Sequence, residues 1–202
     1  MTFFSFKVPL ILASSSTYRA AALARLGLDF TQMSPAIDET ARPGEAAQAL
    51  AQRLAREKAD MIHKQRPDAI VIGSDQVGVS QGRQLHKPDT HEAAIAQLQS
   101  LNGAKAVFHS ALAVYDPVKA AIHEAVTPTH IEFRHLTQEQ LRRYVELDEP
   151  LDCAGSFKVE ALGIALFERV VSDDPTALIG LPMIALVSIL QQISGYPMSR
   201  HM

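Results

Sequence analysis

The residue with the clearest chemical potential in this sequence is Asp75, near the end of the run Ala69–Gln76 (AIVIGSDQ). A short, unbroken apolar run closed by glycine and polar residues is typical of a strand buried on both faces of an α/β sheet. In such sheets, ligands bind just beyond the carboxyl ends of the strands. A carboxylate at this point is either a turn-forming residue or a working acid, and the strand pattern alone leaves both readings open.

A second polar group is the segment Ser14–Arg19 (SSSTYR), between a predicted strand and a predicted helix. Free N–H groups and the helix dipole attract phosphate at such a turn, but ordinary N-capping by serine or threonine explains these residues as well. Arg19 falls in the first helical turn, where a cation is unfavourable against the positive end of the dipole. A bound anion nearby would explain its presence.

A third candidate, Lys58, belongs to a predicted helix from about Ala46 to Lys64. It lies four residues after Leu54 and therefore shares the apolar stripe of that helix. Either its apolar stem lies along the stripe while the ammonium reaches solvent, or the ammonium points into a cleft. Glu39 and Lys87, each in a predicted loop, would by themselves be read as solvated charges.

The elements that must position these residues alternate between strand and helix. The predicted strands are Leu10–Ala13, Phe30–Met33, Ala69–Gln76, the hairpin Val77–Val79 with Gln84–His86, Ala104–Tyr115, Ala121–Arg134, Gly163–Phe167 and Val170–Ser172. The predicted helices are Tyr18–Leu26, Ala46 to Lys64, Thr90–Leu101, Thr137–Val145 and Pro182–Ile193. Long hairpins argue against an all-parallel sheet, so we expect a mixed sheet with helices on its faces. No linker separates two domains.

Composition excludes several classes of function. The 19 basic and 22 acidic residues give a formal charge of −3, which disfavours long nucleic acids and anionic membrane surfaces as partners. One cysteine, Cys153, rules out an internal disulfide and is compatible with a reducing cytosol. No apolar stretch approaches the roughly 18 residues of a membrane span, and the first 16 residues lack the basic start of a signal peptide. We therefore expect a cytoplasmic protein.

Familiar catalytic motifs are absent. The run Gly73–Ser80 has the glycine spacing of a phosphate-binding P-loop, but Val79 stands where that motif requires lysine. The eight histidines include no HExxH pair, which disfavours a zinc hydrolase of that kind.

Eight ordered blocks, from about Leu10 to Ile193, resemble the Maf-like nucleotide pyrophosphatases. The blocks read LILASSSTYR, IDET, LAREKA, VIGSDQV, HKP, LQSLNG, EPLDCAGSFKVEALG and DDPTALIGLP. The resemblance implies a mixed, strongly twisted α/β sheet with helices on its faces, in a single domain over residues 8–195 with two lobes and a central cleft. It also implies hydrolysis of a nucleoside triphosphate between its α- and β-phosphates, giving the monophosphate and diphosphate.

Within this family, GSDQV, HIEFRHL and CAGSFKVE most resemble the branch that acts on 7-methyl-GTP. The sister branch, which acts on dTTP and UTP, usually carries threonine after the aspartate and glutamine in place of the late glutamate. Two alternatives therefore stay open beside 7-methyl-GTP hydrolysis: the sister branch's activity, and a nucleotide-binding regulator of septum formation with little turnover. A broader filter of noncanonical nucleotides would share the same chemistry.

The resemblance assigns roles to the polar residues found above. Asp75 matches the catalytic proton acceptor, with bridging to a metal as an alternative role, and Glu39 would be a metal ligand or lie beside one. The expected cofactor is a divalent cation, Mg²⁺ or Mn²⁺, because both prefer oxygen ligands. Residues that would bind the triphosphate are Ser14, Arg19, Lys58 and Lys87. The expected partner is a small nucleoside triphosphate, and the resemblance is also consistent with a homodimer.

Tyr18, Gln76 and Glu160 occupy the positions that distinguish the substrate branches. The 7-methylated guanine is positively charged, so the Tyr18 ring would attract it by stacking and cation–π contact. The Glu160 carboxylate would accept from the guanine N1–H and amino groups. Tyr18 replaces a more usual tryptophan and keeps a weaker stacking face. Ala20 replaces a common second arginine, which removes one possible phosphate contact.

Overall fold

The computed structural model describes Phe4 and residues 6–194, and its elements follow the predicted alternation. The strands are β1 (Leu10–Ala13), β2 (Thr31–Met33), β3 (Ile70–Ser80), β4 (Arg83–Leu85), β5 (Lys105–Asp116), β6 (Ala121–Phe133) and β7 (Phe167–Ser172). The helices are α1 (Thr17–Ala24), α2 (Ala47–Gln65), α3 (His91–Leu101), α4 (Gln138–Asp148) and α5 (Met183–Ser194). Two short 3₁₀ segments span Leu162–Leu166 and Ala177–Ile179.

The seven strands form one mixed sheet, which confirms the predicted α/β class. The strand order is β2-β1-β3-β5-β6-β7, and β4 pairs with β3. β1 is parallel to both β2 and β3, whereas β3–β4 and β6–β7 are antiparallel. The antiparallel β3–β4 and β6–β7 pairings make the sheet mixed, as expected, and β3–β4 is the hairpin that the sequence predicted.

The described residues divide into two compact units. The first unit comprises the described residues through Asp75, Ser110–Thr127 and the described residues from Asp174 onward; the second comprises Gln76–His109 and Pro128–Asp173. The predicted single domain over residues 8–195 stays a prediction, and its last residue, Gly195, lies outside the described residues.

Alternation along β1 and β3 builds the core of the first unit. Leu10 and Leu12 of β1 and Ile70 and Ile72 of β3 are fully or nearly fully buried in one apolar cluster. The same cluster contains residues of α1 and α5, including Leu23, Leu186 and Leu190. Because successive strand residues point to opposite faces, Val71, Gly73 and Asp75 are left for the other face of the sheet.

Aromatic side chains form the core of the second unit. Phe108, Phe133, Phe157 and Phe167 meet edge to face, with ring centroids 4.9–6.0 Å apart. This is the favoured geometry for aromatic pairs. The cluster joins three sheet strands, β5, β6 and β7, to the segment that follows α4.

Two details of the predicted elements were wrong. Gly163–Phe167 was predicted to be a strand, but Leu162–Leu166 is a 3₁₀ turn and only Phe167 begins β7. The reason is that this segment curls back onto Lys158: the Gly163 N–H donates to the Lys158 carbonyl at 3.0 Å, and a Cβ on Gly163 would lie 2.4 Å from that oxygen. Val77–Val79 is also no separate strand, because β3 continues without a break to Ser80.

The predicted helix caps are confirmed where side-chain chemistry sets them. Thr90 accepts a hydrogen bond from the Ala93 N–H at the start of α3. Thr137 and Gln140 form a reciprocal capping box at the start of α4. Among the described residues, no helix is both long and apolar enough to cross a membrane.

Candidate functional site

The site begins with a close approach between α2 and β3 at Gly73. A Cβ built on Gly73 would lie 2.2 Å from the Ala55 carbonyl oxygen and 2.8 Å from the Ala59 nitrogen. Only glycine lets the helix backbone come this near to the strand. Since Asp75 follows two residues later on the same face of β3, and Lys58 lies beside Ala59 on α2, this contact brings the two charged residues together.

The Lys58 ammonium joins two carboxylates. Its Nζ lies 2.5 Å from Asp75 Oδ1 and 2.7 Å from Glu39 Oε1. The side chains of Lys58 and Asp75 are 7% and 9% exposed, whereas that of Glu39 is 59% exposed. The prediction that Lys58 shares the apolar face of its helix is confirmed, because Leu54, Ala55 and Ala59 are buried beside it. The ammonium points inward and does not extend to solvent.

A buried ammonium between two carboxylates is a costly arrangement. Taking charges out of water costs several kcal/mol per ion, and the cost is recovered only where partners and geometry are good. Since departures from local rules, such as a charged pair buried on an apolar helix face, are expected at functional sites, the Asp75–Lys58–Glu39 group is a strong candidate for chemistry. Asp75 is therefore not a turn former: β3 continues for five residues beyond it.

The turn before α1 forms a second polar group. Ser16 is the N-cap, and its Oγ accepts from the Arg19 N–H at 3.3 Å. Ser14 is buried, and its Oγ accepts from the Ser16 N–H at 3.1 Å and from Arg19 Nη1 at 3.4 Å. The capping interpretation is therefore correct for Ser16, and the Ser14 hydroxyl is left with a different environment, next to the Arg19 guanidinium.

One backbone carbonyl connects these two groups. The Gly180 oxygen accepts from Arg19 Nε at 2.9 Å and from the Ser74 hydroxyl at 2.9 Å. Ser74 directly precedes Asp75 in β3, so the Arg19 guanidinium and the Asp75 strand are tied to the same atom. Tyr18 directly precedes Arg19 in the first turn of α1 and is half-buried.

The segment that supplies the Gly180 carbonyl is held by Asp174, which is buried. Its Oδ1 accepts from the Thr176 N–H at 2.9 Å and its Oδ2 from the Ile184 N–H at 2.6 Å. The Thr176 hydroxyl accepts in turn from the Met183 N–H. These bonds fix the turn between β7 and α5, which explains the sequence DDPTALIGLP as an anchor for Gly180.

The remaining predicted site residues lie in the second unit. Gln76 follows Asp75 in β3, points to the opposite face of the strand and is half-buried. Lys87 is exposed in the segment between β4 and α3, and Glu160 is exposed in the loop between α4 and the 3₁₀ segment.

Gln97 of α3 links the two loops that carry Lys87 and Glu160. Its Nε2 donates to the His86 carbonyl at 3.0 Å and to the Ser156 hydroxyl at 2.6 Å, and its Oε1 accepts from the His86 N–H at 3.2 Å. The backbone next to Lys87 is therefore fixed to α3 and to the loop that leads to Glu160.

Tyr144 and Asp148 of α4 hold the other end of that loop. The Tyr144 hydroxyl donates to Asp148 Oδ2 at 2.8 Å and accepts from the Lys158 N–H at 3.1 Å, while Lys158 Nζ donates to the Asp148 carbonyl at 2.9 Å. Burial, with the hydrogen bond to Asp148, raises the pKa of Tyr144 well above its usual range. The phenol therefore stays a neutral donor and fixes the backbone two residues before Glu160.

The structure thus brings five of the nine predicted site residues into two linked groups of the first unit: Ser14, Arg19, Glu39, Lys58 and Asp75. It places Lys87 and Glu160 in two loops of the second unit that Gln97 connects. Sequence reasoning missed the supporting residues Gly73, Gln97 and Tyr144. A signal existed only for Gly73, since an isolated glycine in an apolar strand indicates a close backbone approach.

Comparison with known proteins gives a consistent result. The family described as Maf-like protein matches residues 9–193. Curated relatives named 7-methyl-GTP pyrophosphatase include one from Xanthomonas axonopodis pv. citri, 51% identical over 91% of this chain and 95% of the relative. Those from Ralstonia nicotianae and Pseudomonas aeruginosa are 50% and 48% identical, over 94% and 90% of this chain and 97% and 94% of their own lengths.

Proposed function

The chain belongs to the Maf-like family, and we propose that it hydrolyses 7-methyl-GTP to 7-methyl-GMP and diphosphate, removing a modified nucleotide from the cellular pool. The observation that carries this proposal is about 50% identity to several 7-methyl-GTP pyrophosphatases over nine-tenths or more of both chains. The Asp75–Lys58–Glu39 group supplies chemistry that fits the reaction.

In the proposed reaction, a water molecule attacks the α-phosphorus and the bond to the oxygen bridging the α- and β-phosphates breaks. Asp75 accepts the proton of the attacking water, and diphosphate leaves with the bridging oxygen. The Lys58 ammonium supports this role because it fixes one Asp75 oxygen at 2.5 Å and so orients the carboxylate. It also offers positive charge to phosphate oxygens.

Cations and hydroxyl donors would bind the triphosphate. Arg19 is held by the Gly180 carbonyl through Nε and by the Ser14 hydroxyl through Nη1, and the remaining N–H groups of its terminal nitrogens would face an anion there. A planar guanidinium suits phosphate oxygens. Lys87 would add a further positive charge.

Base selection would rest on Tyr18, Gln76 and Glu160. The Tyr18 ring would stack on the positively charged 7-methylguanine, and the Glu160 carboxylate would accept from the guanine N1–H and amino groups. Gln76 would contribute donor and acceptor atoms from the strand position after Asp75.

The carboxylates also fit a divalent cation. Asp75 and Glu39 lie close to each other, since each has an oxygen within 2.7 Å of Lys58 Nζ, and Mg²⁺ is commonly bound by one or two carboxylates together with substrate phosphates. Among the described residues, no group of three or more His, Cys, Asp or Glu could hold a metal by itself. We therefore propose that Asp75 and Glu39 hold Mg²⁺ or Mn²⁺ with the substrate, which would neutralise charge on the phosphate oxygens.

We further propose that the enzyme works in the cytoplasm, to which its single cysteine is suited, and that it forms a homodimer.

A substrate panel tests the proposed function. Diphosphate release is measured for 7-methyl-GTP, GTP, dTTP and UTP with Mg²⁺ or Mn²⁺, and we expect the highest kcat/KM for 7-methyl-GTP. Asp75→Asn should lower kcat by about 10²–10⁴-fold, the usual contribution of a general base. The control is Asp68→Asn, which changes an exposed carboxylate paired with Arg66.

Other results of the substrate panel would support a different function or contradict the role of Asp75. A preference for dTTP or UTP would assign the chain to the sister branch's activity. Tight nucleotide binding with no diphosphate released would favour the regulator. Full activity of Asp75→Asn would refute the role of Asp75.

A further inference from the structure

We propose that Arg53 is a positioning residue: it holds the loop of residues 34–46 against α2 and thereby keeps the Glu39 carboxylate on Lys58. This proposal rests on the proposed function, because it assigns a purpose to the position of Glu39 in that site. The loop connects β2 to α2 and has 13 residues without regular secondary structure. Such long connections in compact domains are usually functional.

The Arg53 guanidinium binds the loop at two points and α2 at one. Nε and Nη2 donate to the two Glu45 carboxylate oxygens at 2.7 and 2.8 Å, Nη2 also donates to the Thr40 carbonyl at 3.0 Å, and Nη1 donates to Glu57 on α2 at 3.0 Å. The bond to Thr40 falls on the residue directly after Glu39. The bidentate bond to Glu45 fixes the other end of the loop.

This cluster differs from an ordinary surface ion pair. The side chains of Arg53 and Glu45 are 14% and 10% exposed, and the bidentate geometry uses the planar fork that only arginine has. Exposed pairs of the ordinary kind contribute little. The Arg53–Glu45 pair is therefore suited to fixing the position of the loop.

Restraints flank Glu39 on both sides. Asp38 Oδ1 accepts from the Thr40 N–H at 2.9 Å, which closes a turn around Glu39. On the far side, Glu45 Oε2 accepts from the Arg42 N–H at 2.9 Å, and the Glu45 N–H donates to the Arg42 carbonyl at 3.0 Å. Arg53 holds this whole arrangement to the helix that also carries Lys58, five residues later.

Glu39 needs such a restraint because it is largely exposed. A glutamate side chain loses considerable rotamer freedom when it is fixed, and an ion pair whose glutamate is largely exposed compensates for this loss only weakly. With the loop released, the Glu39 carboxylate would spend less time at Lys58. Replacing Arg53 should therefore lower activity in the same way as replacing Glu39 itself.

A double-mutant cycle tests this equivalence. Arg53→Met and Glu39→Gln should each lower kcat/KM by about 10- to 100-fold, the range for residues that orient site carboxylates, and the double variant should lose no more than the worse single variant. Arg53→Lys keeps the charge and stem but not the fork, so it should recover part of the loss. The matched control is Arg42→Met, since Arg42 also pairs with Glu57 but its side chain is 67% exposed; its kcat/KM should stay near wild type. Losses that add fully in the double variant would overturn the proposal.

Amide hydrogen exchange gives a readout that does not depend on turnover. In Arg53→Met, the Thr40 and Arg42 amides should exchange about tenfold faster or more, because a charge-assisted anchor is lost, whereas Arg42→Met should leave the Thr40 amide unchanged. If the wild-type protein releases no diphosphate from any nucleotide, the proposed function fails and the exchange data alone decide whether Arg53 holds the loop. Unchanged exchange in both Arg53 variants would overturn the proposal whatever the activity.

Discussion

Replacing Lys58 with methionine is the most informative single perturbation of this protein. Methionine keeps the length and apolar stem of lysine, so the packing of α2 against β3 at Gly73 is preserved and the ammonium is removed. The change leaves the Asp75 carboxylate, with a side chain only 9% exposed, without the ammonium that lies 2.5 Å away in the wild-type protein.

The magnitude follows from burial. Removing one partner of a buried ion pair costs about 3–5 kcal/mol, because the remaining charge keeps its desolvation penalty and loses its compensation. For a protein of this size, each kcal/mol lowers the melting temperature by roughly 2–4 °C, so we expect a decrease of about 6–20 °C. Glu39→Gln should cost about 1 kcal/mol at most, since the Glu39 side chain is 59% exposed and its pair with Lys58 is screened by water.

Urea denaturation of four proteins, the wild type, Lys58→Met, Asp75→Asn and the double variant, measures these quantities. We expect the double variant to be more stable than the sum of the single effects predicts, by about 1–3 kcal/mol, because removing both charges removes the uncompensated one. Diphosphate release should fall sharply in every variant. Stability of Lys58→Met equal to wild type, or fully additive losses in the double variant, would refute the reasoning that the pair is buried and mutually dependent.

Three further outcomes follow from the same structure. Gly73→Ala should destabilise the fold by about 1–3 kcal/mol, the usual cost of overpacking, and should lower activity by displacing α2; the urea midpoint and diphosphate release report the two effects. The Arg53 guanidinium lowers the pKa of Glu45 from 4.5 to about 2, so the stabilisation from this pair is present above pH 4.5 and is lost as the pH falls toward 2; the difference in urea midpoint between wild type and Arg53→Met should shrink over that window. Tyr144→Phe should cost about 1–3 kcal/mol by removing the hydrogen bonds to the Asp148 carboxylate and from the Lys158 N–H, and the ratio of kcat/KM values for 7-methyl-GTP and GTP should fall as the Glu160 loop loosens.

Most of the fold could be predicted from the sequence, because hydrophobic periodicity and helix capping depend on residues that are close together in the chain. The strand Leu10–Ala13 and the capping box at Thr137 agree with the structure to within a residue or two. The strand predicted at Gly163–Phe167 was wrong because its conformation depends on contact with the Lys158 backbone, and no local pattern reports such a contact.

The site residues could be predicted from the sequence for a different reason. Lys58 was conspicuous because a lysine on an apolar helical stripe violates the expected pattern, and the structure shows the ammonium at the carboxylate of Asp75. Departures from local rules are expected at functional sites. Residues that obey those rules give no such signal: Arg53 lies on the polar side of α2, four residues before Glu57, and reads as a routine helix-surface ion pair.

Helix α2 is the element on which the geometry of the first unit's site depends. Residues 53 and 58 are five positions apart, which separates them by about 140° around the helix, so one side of α2 can hold a loop while another faces the sheet. Gly73 sets the distance from the helix to β3, Arg53 sets the position of the loop, and Lys58 joins the loop's Glu39 to the strand's Asp75. Because one rigid helix fixes all three, a shift of α2 cannot change one contact without the others. The two carboxylates are therefore positioned relative to each other by backbone packing, although they come from segments 36 residues apart in the sequence.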